Sequence, residues 1–217
     1  MENENSLRER LIDVGVNLVM TEGSASLGLR EIARRAGVSH GAPRRYFPTH
    51  HTLLSAIAGR GFTDLEARLA GEIGGTTSAR GQLEILGRAY VGYALEHRGM
   101  FELMFRHDLL DSDTNSSDRP RLRESTLPVF QLLVGLVARC RAERDVAQRP
   151  DSPGQAATPD VTAAALWSNL HGIAQLWVWG SLQLALDVRP EGGAPDSDQL
   201  DRLVAAALHA HLGPVAS

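Results

Sequence analysis

Arg44 and Arg45 stand side by side in a short segment, Ser39-His40-Gly41-Ala42-Pro43-Arg44-Arg45-Tyr46-Phe47. A guanidinium group is planar, always charged, and carries donors spaced for a phosphate or for the acceptor edge of guanine. Ser39, His40, Gly41 and Ala42, just before the pair, are small or polar and let a backbone approach base edges closely, though they also suit simple packing. Tyr46 can donate to a phosphate or stack within its own domain, and the spacing does not separate the two. The plain alternative for Arg44 and Arg45 is a solvated surface. Local charge weighs against it: between Gly28 and Arg60 six arginines (Arg30, Arg34, Arg35, Arg44, Arg45, Arg60) face one acid, Glu31, in a chain of net charge −4. Phosphate neutralisation needs such a patch.

The elements that would carry these residues can be read from periodicity. Leu29, Ile32, Ala33 and Ala36 recur at i, i+3, i+4 and i+7, one buried stripe of a helix. Gly28 falls at its N-cap, a weaker cap than Ser or Thr because it has no side-chain oxygen. Glu31 suits the positive end of that helix and can pair with Arg35. Gly37 follows where a left-handed residue is wanted, and Val38 plugs the corner. Ser39 then caps a second helix with its body at His40 to Phe47, in which Pro43 costs one marginal bond. Helix, tight turn with Gly, helix is a helix-turn-helix, whose second helix enters the DNA major groove.

Composition sets the class. The chain has 217 residues, 43% hydrophobic and 22% charged, with no lysine and a single cysteine, Cys140. One cysteine excludes an intrachain disulfide and the usual multi-cysteine zinc frameworks. His50 and His51 diverge on a helix, as do His209 and His211, so neither pair chelates a metal from it. No metal and no cofactor are expected. The N-terminus MENENSLRER lacks an apolar signal region, which points to a cytoplasmic protein. Ala163 to Leu186 carries no formal charge, but its interspersed Ser, Asn, His and Gln fit a helix buried inside a globular domain better than a membrane span.

In order, a first helix is expected over Ser6 to Glu22, then the helix-turn-helix. A long helix follows from His50, capped by Thr49, to about Gly71. Further helices are expected around Leu83–His97, over GMFELMFRHDLL, from about Arg121 to Val146 with Pro128 inside, from about Pro159 to Leu186, and over 197–212. Polar loops lie at 111–120 and 148–160. No alternating strand pattern occurs, so the fold class is all-α with about nine helices. Residues 1–66 are expected to form the DNA-binding domain and 67–217 a second helical domain, whose ligand-binding and dimerisation role is implied by a family resemblance.

Three segments, RERLIDVG…VMTEG, LREIARRAGVSHGAPRRYF and FPTHHTLLSAI, together resemble the TetR family of bacterial transcriptional regulators over roughly the first 65 residues. RGMFELMF and LWSNLHGIAQLW are similar to the ligand-binding domain of one subgroup. The resemblance implies a homodimer that binds a palindromic double-stranded DNA operator, represses, and is released by a small hydrophobic or aromatic ligand. It also implies dimerisation through the last two helices, around 159–186 and 197–212, as a four-helix bundle. Three positions depart from the family. Gly28 replaces a Ser or Thr, Arg44 replaces a Tyr that contacts the backbone, and His50 replaces a Lys, giving a weaker, pH-dependent phosphate contact.

Phe101, Met104, Phe105, Phe130, Trp167, His171 and Trp177 are candidates to line a ligand pocket, or they are plain core. Trp167 and His171 share a helical face, and His171 alone fits a satisfied core histidine. Hydrolase, nucleotide-binding and metalloprotease motifs are absent, so no enzyme is expected. Two other classes remain open. Cys140 in RCRAER would serve a thiol-based redox sensor if its arginines lowered its pKa, and the basic face would serve a helical protein-binding adaptor.

Overall fold

The computed structural model describes residues 2–74, 78–106, 110, 119–147, 157–188 and 197–214. Among them the chain is all-helical. The α-helices are α1 (Glu2–Glu22), α2 (Leu29–Arg35), α3 (His50–Ile73), α4 (Ala79–Glu96), α5 (Arg98–Met104), α6 (Arg119–Ala147), α7 (Pro159–Val178), α8 (Ser181–Ala185) and α9 (Ser197–Leu212). Two 3-10 turns, Ser24–Ser26 and Ala42–Arg45, complete the described elements. The two loops expected at 111–120 and 148–160 lie largely outside the described residues. No described helix is long and apolar enough to cross a membrane.

Two compact units divide the chain: Met1–Leu65 with His97–Leu127, and Glu66–Glu96 with Pro128–Ser217. In the first, α1 buries Leu11, Ile12, Leu18 and Val19. Gly15 lets α3 come close, since a Cβ there would lie 2.3 Å from Ile57 Cδ1. The first turn of α3 is closed by two threonines: the Thr52 amide donates to Thr49 Oγ1 at 3.1 Å and the Thr52 hydroxyl to Thr49 O at 2.8 Å. Thr49 is therefore the expected cap. α5 lies on α1 with Gly99 against its backbone, where a Cβ would stand 2.4 Å from Val19 O.

In the second unit α4, α7 and α9 pack on one another. Their core holds Leu83, Leu86, Tyr90, Leu170, Ala174, Val204 and Leu208. Two arginines cover the carbonyl end of α9: Arg80 donates to Leu208 O and Gly213 O at 3.3 and 3.2 Å, and Arg144 to Leu212 O at 2.8 Å. Cations at this end of a helix also oppose its partial negative charge.

One expected helix is divided. The apolar run to Leu186 stops at Val178, and Gly180 adopts φ 79° before the short α8 begins. A left-handed residue ends a helix, and glycine takes that conformation without a Cβ clash. The Gln183 side-chain amide then donates to the Trp177 carbonyl at 2.8 Å. The break leaves Trp179 65% and Leu184 86% exposed.

Candidate nucleic-acid interface

The turn at Gly37 forms as its sequence requires. Gly37 has φ 67°, its amide donates to Arg34 O at 3.2 Å, and the Val38 amide reaches back to Ala33 O at 3.0 Å. This pair of bonds satisfies the last carbonyls of α2 and fixes the angle at which the chain leaves it. Gly28 is the N-cap, extended at φ −92°, ψ 137°, with nothing within 4 Å of an added Cβ. That conformation suits any residue. Gly28→Thr therefore supplies the missing cap and should stabilise the protein by about a few tenths of a kcal/mol, read as a slightly higher melting temperature in a thermal melt.

The second element differs from expectation. Instead of an α-helix over His40 to Phe47, residues Ala42–Arg45 form a single 3-10 turn whose N-cap is Gly41. Ser39 makes no side-chain cap; its backbone carbonyl accepts the Ala42 amide at 3.0 Å. Pro43 explains both changes. It has no amide to donate to Ser39 O, as residue 43 of an α-helix would, and that carbonyl accepts the Ala42 amide three residues on instead. After it the chain tightens normally, with the Phe47 amide donating to Pro43 O at 2.8 Å. Pro43 and Phe47 are buried and Arg8 of α1 lies over the Phe47 ring, so the turn is pinned from beneath. Ser39, His40, Gly41, Arg44 and Arg45 are left exposed, with Ala42 and Tyr46 half-buried.

The basic patch is smaller in space than in sequence. Glu31 accepts from both Arg34 (2.6 Å) and Arg35 (2.6 Å), and those bonds, Arg34's first, hold its carboxyl at about 2. Arg35 also reaches Glu22 of α1 at 2.6 Å, and Arg60 pairs with Glu9 and, at 3.6 Å, with Asp13. Arg30, Arg44 and Arg45 have no carboxylate partner among the described residues. Three cations are thus left without a carboxylate partner among the described residues, two of them on the 3-10 turn. His50 opens α3, and its Nε2 is turned to the Leu27 carbonyl.

The seven aromatic and apolar candidates separate into two groups. Phe101, Met104 and Phe105 belong to the first unit, where Phe105 meets Phe101 and Phe62 edge-on at 4.9 and 5.6 Å between ring centres. Phe130, Trp167, His171 and Trp177 belong to the second. There Phe130 and Trp167 are 6.2 Å apart and Trp177 is buried. Sequence reasoning missed the group at their centre, Tyr90 of α4. Trp167 Nε1–H donates to the Tyr90 hydroxyl at 3.0 Å, which lies 2.9 Å from His171 Nδ1. Burial pushes the Tyr90 hydroxyl far up, so it keeps its proton to donate. Burial also lowers His171 below its ordinary 6.5, so the neutral ring accepts at Nδ1. The signal available was the Trp167/His171 pair at i, i+4, two polar groups on a buried face that need a third.

A histidine held below its unfolded value binds fewer protons folded than unfolded. His171 therefore contributes stability that is present above about pH 6.5 and lost as pH falls through that value. Melts from about pH 7.5 down to about pH 5.5 should show this drop, and His171→Asn should flatten it.

Cys140 lies beside Arg80, Arg141 and Arg144, yet burial dominates and pushes its thiol up. That is opposite to what a reactive thiolate needs. Among the described residues no three His, Cys, Asp or Glu side chains are grouped to hold a metal.

Comparison with known proteins agrees with this geometry. Residues 83–192 match a family model described as Tetracyclin repressor-like, C-terminal domain, and residues 11–57 one described as Bacterial regulatory proteins, tetR family. An uncharacterised HTH-type transcriptional regulator in the dhlA 5' region of Xanthobacter autotrophicus is 32% identical over 95 residues, 43% of this chain and 47% of that protein. The chain thus spans about half the length of that curated relative. A solved protein of unknown function from Rhodococcus sp. RHA1 is 30% identical, with TM-score 0.71 over 97% of this chain and 96% of that one. The Bacillus subtilis regulator FadR, solved with stearoyl-CoA, shares the fold at 14% identity, with TM-score 0.61 over 95% and 99%. With both family models matched and a likeness running nearly end to end, the chain belongs to the TetR family of bacterial transcriptional regulators.

Proposed function

We propose that this regulator is a homodimeric repressor that binds a palindromic operator and is released by a small hydrophobic or aromatic ligand. The observation that carries the reading is the trio Arg30, Arg44 and Arg45, unpaired among the described residues around a helix-turn-helix whose other arginines are neutralised internally. Phosphate contacts supply the affinity, and Ser39, His40, Gly41 and Ala42 approach the base edges. Tyr46 and Gly28 border the same surface.

One copy of so short a reading element binds weakly, and two copies related by a two-fold axis read two half-sites. The outward faces of α7 and α9 suit that pairing. Ala164, Ala165, Ala205, Ala206 and Ala210 are exposed there, together with Val161 at 55% and Leu176 at 40%. Small residues allow close helix approach, and exposed aliphatics gain by burial. The ligand is assigned to one of the two aromatic groups, either Phe101, Met104 and Phe105 of the first unit or Phe130, Trp167, His171 and Trp177 of the second. FadR, with its stearoyl-CoA, is a relative of this fold that takes an apolar chain. A ligand favouring one tilt of α3 would change operator affinity about 5- to 150-fold for a coupling of about 1–3 kcal/mol.

Selection of bound fragments from random and genomic DNA tests the whole reading. A recovered palindrome with half-sites about one helical turn apart, bound with a steep salt dependence, is the expected result. Recovery of no enriched sequence would sink it in favour of the adaptor alternative.

A further inference from the structure

We infer that His50 is a positioning residue that clasps the two ends of the DNA-reading segment together, and that it acts through the Leu27 carbonyl, not on a phosphate. The inference rests on the DNA-binding reading above and concerns how that surface is held.

Leu27 is the last residue before the helix-turn-helix, and His50 is the first residue of the helix that follows it. The bond between His50 Nε2 and Leu27 O therefore bridges 23 residues and encloses the whole reading element. A carbonyl only accepts, so Nε2 carries the proton. In a neutral imidazole that is the sole N–H, which leaves Nδ1 as an acceptor with nothing to offer a phosphate oxygen. A lysine at this place would have an ammonium with three donors; a neutral histidine has one, and here it faces the Leu27 carbonyl.

The peptide it holds is well placed. The Leu27 carbonyl and the Gly28 amide belong to one rigid plane. The amide side donates to Ser26 O at 2.8 Å, and the carbonyl side accepts from His50. With both sides held, the plane cannot rotate, and Gly28 leaves it as the N-cap of α2, its own carbonyl accepting the Ile32 amide at 3.0 Å. α2 in turn holds the corner through Val38 and Ala33. Because Gly28 has no side chain to fix its own cap, the orientation of α2 depends on this plane more than it would with a Ser or Thr there. At the other end, His50 lies beside Thr49 and Thr52, whose mutual bonds fix the start of α3. A movement of α3 would therefore reach α2 directly through one side chain.

Three variants separate the clasp from a phosphate contact. His50→Ala removes both. His50→Gln puts a neutral N–H close to where Nε2 lies, and His50→Lys restores a cation. On the DNA-free chain, His50→Ala should speed hydrogen exchange at the Gly28 and Ile32 amides by about 2- to 10-fold, the scale of one lost hydrogen bond. His50→Gln should return exchange to near the wild-type rate. On the selected operator, His50→Ala should weaken binding by about 2- to 10-fold with an unchanged salt slope, and His50→Gln should recover most of it. A slope lower by about one, with recovery by Lys and not by Gln, would mean a phosphate contact and overturn the clasp. So would unchanged exchange in His50→Ala. If wild-type protein selects no DNA, the functional reading fails while the exchange experiment still decides the clasp.

Discussion

Replacing Arg44 and Arg45 together with alanine is expected to weaken operator binding by on the order of 30- to 1000-fold and to make its salt slope shallower by about two. The size follows from their isolation. Neither has a carboxylate partner among the described residues, so neither needs to break an internal bond before meeting a phosphate or a guanine edge. Arg34 and Arg35 are a built-in comparison. They are already bonded to Glu31 and Glu22, so their replacement should change the slope less. Fluorescence anisotropy across a salt series measures both quantities. An unchanged slope in the Arg44/Arg45 variant would remove the turn from the DNA interface.

Gly99→Ala is expected to destabilise the protein by about 1–3 kcal/mol and so lower its melting temperature by about 2–4 °C per kcal/mol for a chain of this size. The added methyl would meet the Val19 carbonyl at 2.4 Å and the Gly23 Cα at 3.1 Å. Both are backbone atoms, and a backbone cannot turn aside as a side chain can. The same substitution at Gly135 in α6, with nothing within 4 Å, should instead stabilise by about 0.5–1 kcal/mol. Thermal melts of the two variants should therefore move in opposite directions. The contact matters beyond stability, because it joins α5, which carries Phe101 and Met104, to α1, which also packs on α2 of the helix-turn-helix.

How much of this was legible in the sequence depended on how local its cause was. The stripe on α2, the left-handed Gly37, the Thr49 cap and the Glu31–Arg35 pair each need only neighbours within one or two turns, and all are present. The second reading element is a 3-10 turn and not an α-helix because Pro43 removes the amide that would bond Ser39 O, a local cause that a good cap residue at Ser39 masks in the sequence. The basic patch was overstated for a different reason. A window from Gly28 to Arg60 does not see Glu22, 13 residues from Arg35, or Glu9, 51 residues from Arg60. Tyr90 and His171 are 81 residues apart, and only packing brings them to 2.9 Å. The apolar run ending at Leu186 concealed its break because a glycine inside a helix and a glycine ending one look alike until φ is known.

The end of α7 also holds two of the chain's three indoles in different surroundings. Trp177 is 4% exposed, and Trp179, two residues on, is 65% exposed. An indole in water emits further to the red and is open to ionic quenchers, while one in the core is neither. The last turn of α7 thus carries a natural pair of probes, one reporting the interior of the unit and the other whatever comes to cover the corner beside it. With the third indole, the half-buried Trp167, replaced by phenylalanine, the two can be followed without a dye.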